Sequence, residues 1–206
     1  MNLLFLASFI TLTILISYNV RKQAKKGKNQ DADFWSRERR ANSVRRKPLD
    51  SLNYIKIPLE TCPTHLLNED SAVMDCIEII ESLTSQKTVN LTGWSNTDLK
   101  LEYGTANITV LSEYDQNYTL LVRTLQKWAD ALLEAGYGKE ASVLMEYAVS
   151  TNTDVSQTYL KLADYWIAQQ DPFQIERLIH TAEGLRSSSR NSIIRQLREK
   201  YRQSLR

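Results

Sequence analysis

Between residues 118 and 182 the apolar side chains recur at helical intervals, and that recurrence limits the folds open to this chain. Tyr118, Leu121, Leu125, Trp128 and Leu132 step by three or four residues, which lays one stripe along a helix. Gly136 is a natural stop for it. Ala141, Leu144, Met145 and Ala148 form a second stripe. After the turn Thr151-Asn152-Thr153-Asp154, Tyr159, Leu162, Ala163 and Trp166 form a third. Asp171-Pro172 offers an N-cap and a first-turn proline for a fourth, made of Ile175, Leu178, Ile179 and Ala182. A last basic helix carries Ile194, Leu197 and Tyr201 on one side, and residues 69–85, capped at Asn68, align Val73, Ile77 and Ile80 with Cys76 and Leu83 beside them. Short helices with one apolar face each are stable only when stacked, so the expected class is all-α, built of helical hairpins.

Positions 34 apart correspond. Leu125 maps to Tyr159, Trp128 to Leu162, Ala129 to Ala163 and Leu132 to Trp166, while Ala141 maps to Ile175, Met145 to Ile179 and Ala148 to Ala182. That is the tetratricopeptide period, and over about 120–186 the chain resembles the tetratricopeptide repeat family. Gly136, Ala141 and Ala148 fit its glycine and two alanines, and Ala129 its small position. Gln170, Ile175 and Thr153 depart from the pattern, standing for the second glycine, the second packing alanine and the terminal proline. The resemblance implies a fragment of an α-solenoid, capped by the terminal helix and the 69–85 helix, with a groove for a peptide or partner helix. The groove positions it implies are Arg123, Lys127, Asp130, Lys161 and Tyr165. The segments around 34–60 and 90–120 also resemble small membrane-anchored proteins of Gram-positive bacteria, a likeness that implies no activity.

The first twenty residues carry no charge and are rich in Leu, Ile and Phe. As a helix they would cover about 30 Å, the thickness of a bilayer's hydrocarbon core. No small-x-small site closes the run, so a transmembrane anchor over 1–20 is expected in preference to a signal peptide. Arg21, Lys22, Lys25, Lys26 and Lys28 follow at once. They predict a single-pass protein of the cell membrane whose C-terminal domain is cytoplasmic. The sequons at Asn90, Asn107 and Asn117 point the other way and weigh less than the charges.

Net charge is +2, yet residues 21–47 hold eleven Lys and Arg against three Asp and Glu, so the rest of the chain is acidic. An acidic body is unsuited to nucleic acid. Residues 21–48 are expected to link anchor and domain. They begin as a polar tether, and a short helix follows from a cap at Asp33, stopped by Pro48. Phe34, Trp35, Arg37, Arg39, Arg40, Arg45, Arg46 and Lys47 are candidates either for anionic lipid headgroups or for docking on the domain.

The helical domain is assigned to 49–206. Its first residues, Leu49 to Pro63, read as an extended arm packed on it. Residues 86–113 lose helical periodicity and are expected to be irregular or briefly extended. Cys62 and Cys76 read as free thiols, Met74 and Met145 as core, His65 and His180 as structural or exposed, and Asp75, Glu78 and Glu81 as a solvated face. No phosphate-cradling loop, metal motif, nucleophile elbow or dinucleotide fingerprint is present, so no cofactor, metal or catalytic residue is predicted. The expected function is a membrane-anchored scaffold or adaptor for a protein or peptide. The alternative is an enzyme or ligand-binding protein with its site in 87–117, around Trp94, Asn96, Asp98, Lys100, Glu102 and Tyr103.

Overall fold

A computed structural model describes the backbone of residues 3–205 and the side chains of residues 11–20, 22 and 31–205. The helices run in the order α1 (Leu3–Asn42), α2 (Ser71–Thr84), α3 (Asn96–Tyr103), α4 (Ile108–Glu134), α5 (Gly138–Ser150), α6 (Ser156–Ala168), α7 (Phe173–Glu183) and α8 (Arg190–Ser204). Among the described residues there is no strand, only an isolated antiparallel bridge between Tyr54 and Val89. The all-helical class is therefore as expected. The chain divides into two compact units, Met1–Lys47 with Ser95–Ile108 and Pro48–Trp94 with Thr109–Arg206.

The membrane anchor is not. No helix among the described residues is long and apolar enough to cross a membrane. The described apolar side chains run from Thr11 to Val20, ten residues or about 15 Å of helix, roughly half of what a bilayer core requires. Beyond them the same helix continues through Lys22 to Asn42. The side chains of residues 1–10, on which the other half of that expectation rested, lie outside the described residues. The single-pass topology falls with the span. So does the cytoplasmic placement, which was inferred from the charges flanking it.

In the first unit, α1 passes unbroken through the expected tether and ends six residues before Pro48, with Asp33 inside the helix and not at its cap. Its last turns pack on α3, a helix absent from the sequence expectation. Ser95 starts α3 with a capping box, its hydroxyl accepting from the Asp98 N–H while Asp98 accepts from the Ser95 N–H. Ala41 of α1 and Leu99 of α3 are buried.

In the second unit the stripes read from the sequence become one core. Leu121, Leu125, Trp128 and Leu132 of α4 join Ala141, Leu144, Met145 and Ala148 of α5, Tyr159, Leu162 and Ala163 of α6, and Ile175, Leu178 and Ala182 of α7. Val73, Cys76, Ile77, Ile80 and Leu83 of α2 complete it from one side, and Ile193 and Leu197 of α8 from another. Each large side chain fully buried here contributes about 1.5–3 kcal/mol relative to exposure, so the stack needs little from its polar surface. Trp128 is wholly buried and its indole N–H has no partner among the described residues. Shape, not hydrogen bonding, holds it.

Three details differ from expectation. Asp70, not Asn68, caps α2, its carboxylate accepting from the N–H groups of Ala72 and Val73. Met74 lies off the buried stripe and is 45% exposed. Ile193, more than Ile194, is the α8 residue in the core. Leu49 to Pro63 is an arm, with Ile55, Ile57 and Leu59 packed against the core and a 3-10 turn at Leu59–Thr61.

Candidate functional site

The first helices of successive hairpins lie side by side, and polar side chains tie them across an outward face. Thr158 of α6 donates to Gln126 of α4, and Lys161 of α6 reaches Asp130 of α4 at 2.8 Å. Gln126 also donates to Asp130 along α4. The next step repeats the device, with Lys200 of α8 paired to Asp164 of α6. Asp130 and Asp164 stand 34 residues apart, so one carboxylate per hairpin accepts a lysine from the helix beside it. Both carboxylates are thus neutralised within the fold.

Of the five positions predicted for the groove, Lys161 and Tyr165 line a hollow of about 600 Å³ together with Leu133, Gly138, Lys139 and Asp164. Asp130 sits in the ion pair just described, and Arg123 and Lys127 are exposed two turns and one turn before it on α4. The Tyr165 ring packs beside Gly138 and meets Trp166 edge-on at 5.0 Å. Among the described residues Arg123, Lys127 and Lys139 form no ion pair. Glu134, exposed one turn beyond Asp130, forms none either among the described residues, so the unpaired positive charge on α4 is concentrated at Arg123 and Lys127.

The residues proposed for 87–117 fall in both units. Trp94 belongs to the second unit and Asn96, Asp98, Lys100, Glu102 and Tyr103 to the first. There Asp98 pairs with Arg37, and Lys100 with Glu38, which also accepts from Thr97. The hydrogen bond from Lys100, more than that from Thr97, holds the Glu38 carboxyl below its ordinary range. For Asp98 the hydrogen bonds of its Ser95 partner do the same. These groups fasten α1 to α3.

The basic collar divides in the same way. Arg46 donates to Asn107 at 3.0 Å, and the Lys47 N–H donates to the Tyr103 carbonyl at 3.0 Å. Arg39, Arg40 and Arg45 are exposed, as are Phe34 and Trp35, whose rings meet edge-on at 5.3 Å.

The sequon asparagines have structural work that the triplets gave no hint of. Asn107 is fully buried, donating to the carbonyls of Lys47 and Tyr103 while accepting from Arg46. Asn117 donates to the Lys87 carbonyl. The Asn90 amide reaches the Tyr118 hydroxyl and the carbonyls of Thr151 and Asn152, all within 3.0 Å. Cys62 and Cys76 are free and buried, and burial pushes the Cys62 thiol up to about 11. His65 and His180 are exposed, as are Asp75, Glu78 and Glu81.

No protein-family model, no curated protein and no solved structure matches the chain.

Proposed function

We propose that the second unit is a protein-interaction module that holds an acidic peptide segment on the face formed by α4, α6 and α8. The supporting observation is the charge arrangement. Asp130 and Asp164 are each engaged by a lysine, while Arg123 and Lys127 on α4, and Lys139 at the hollow beside Tyr165, form no ion pair among the described residues. The tetratricopeptide-like spacing agrees, since groove positions in that family lie on the first helix of each pair. Carboxylates of the segment meet Arg123 and Lys127, and an apolar or aromatic side chain enters the hollow against Tyr165. The 87–117 alternative is weakened because Asp98 and Lys100 are engaged with Arg37 and Glu38.

Selection of peptides from a random library on the full chain tests this. The enriched sequences should be acidic, and their affinity should fall as salt is raised. Reversing both charges with Arg123→Glu and Lys127→Glu should weaken binding about tenfold, or about 1.4 kcal/mol. Enrichment of basic or uncharged peptides, or unchanged affinity in the doubly reversed protein, overturns the proposal.

A further inference from the structure

A second cleft, of about 500 Å³, opens elsewhere in the second unit, where the arm and the segment before Ser95 meet the ends of α5 and α7. Its walls include Lys56, Asn90, Thr92, Trp94, Asn152 and Arg186, and none of its lining residues is an Asp or Glu. Lys56 and Arg186 are exposed, and among the described residues neither forms an ion pair.

Two cations beside helix C-termini have an ordinary explanation, neutralising the carbonyls that end a helix. At α5 the two carbonyls just beyond the helix already have side-chain donors. The carbonyls of Thr151 and Asn152 accept from the Asn90 amide, and the Tyr118 hydroxyl also donates to Thr151. The Arg186 guanidinium is turned onto the Trp94 ring, 5.5 Å from its centroid. Gly93 sets that approach, since a Cβ there would fall 2.6 Å from the Arg186 Cβ and 2.9 Å from its carbonyl oxygen. The backbone is thus shaped to bring an indole and a guanidinium together at the mouth of a cleft that holds no negative side chain.

We infer that this cleft binds a small organic anion, a carboxylate or phosphate carried on a planar ring. Lys56 and Arg186 hold the anion, and Trp94 offers its ring as a stacking surface. The volume lies within the range of small-ligand sites. The inference uses none of the residues of the peptide face, so the two stand or fall separately.

The test follows the Trp94 indole N–H resonance of the 15N-labelled full chain, assigned by its loss in Trp94→Phe. Benzoate, phenyl phosphate and benzyl alcohol are titrated in turn. The expected result is a saturable shift with at least one of the two anions, with the alcohol at least tenfold weaker. The stronger anion identifies the head group as carboxylate or phosphate. Arg186→Gln and Lys56→Gln should each weaken that binding at least fivefold while leaving the melting temperature and helical circular dichroism as they were. No saturable shift from either anion, equal binding of the alcohol, or undiminished affinity in both variants overturns the inference.

Discussion

Gly136 and Gln170 stand 34 residues apart and occupy the same turn. Gly136 has φ 84° and Gln170 φ 59°, both left-handed. After α4 the Tyr137 N–H reaches the Leu132 carbonyl and the Gly136 N–H the Leu133 carbonyl; after α6 Asp171 reaches Trp166 and Gln170 reaches Ile167. Both helices therefore end in a Schellman turn. The sequence marked Gly136 as a stop but read Gln170 as a departure from the repeat. What the turn requires is one left-handed residue, and glutamine can supply it at a cost of about 1–2 kcal/mol. A Cβ at Gly136 meets nothing within 4 Å, so Gly136→Ala should cost only that conformational strain, about 1 kcal/mol. Gln170→Gly should stabilise by some tenths of a kcal/mol, the relief of strain exceeding the added freedom of the unfolded chain. Urea midpoints of the two variants check both signs. A destabilised Gln170→Gly would contradict the turn described here. Met74 illustrates the opposite failure, since hydrophobicity alone put it in the core, whereas the phase set by Val73, Ile77 and Ile80 turns it outward.

At the scale of elements, the helices legible in the sequence were those with a dense buried stripe. The stripe of α4 was visible from Tyr118, yet the helix begins at Ile108, because between them only Leu111 is buried and the rest is polar or half-exposed. α3 has a single buried residue, Leu99, and hence no period to find. Its one signal was the Ser95-x-x-Asp98 box, which lacks the usual Glu or Gln at the third helical position. The segment 86–94 is irregular as expected, but the reason lay in a tertiary contact that no local pattern encodes. Asn90 ties the segment to Tyr118 of α4 and to the end of α5, while its side-chain Oδ1 accepts from the Thr92 N–H. Asn90→Ala leaves the Asn152 carbonyl without its side-chain donor and the Thr151 carbonyl with that of Tyr118 alone, and should destabilise the second unit by about 1–3 kcal/mol. Denaturant unfolding followed by circular dichroism measures it. A loss under half a kcal/mol would mean that water serves the turn as well as Asn90 does.

For the molecule as a whole, the charge asymmetry in the sequence was real, and part of the basic collar has partners within the chain. Within the first unit the collar's Arg37 meets Asp98, fastening α1 to α3, and Arg46 meets Asn107, so these two follow the docking alternative. Such pairings join residues about sixty positions apart and leave no trace in composition. The candidate face was more legible, because Arg123, Lys127, Asp130, Lys161 and Tyr165 lie at helical spacing on helices whose phase was already fixed. What the sequence could not supply was the pairing of Asp130 with Lys161 and of Asp164 with Lys200, which decides the sign of the charge left over. The proposed function requires a partner lying across α4 and α6. Its most direct test is photo-cross-linking of a library-selected acidic peptide to the full chain carrying p-benzoyl-phenylalanine at position 165 or at position 94. Covalent adducts from position 165 and none from position 94 are predicted; adducts from position 94 alone, or from neither, would contradict the account.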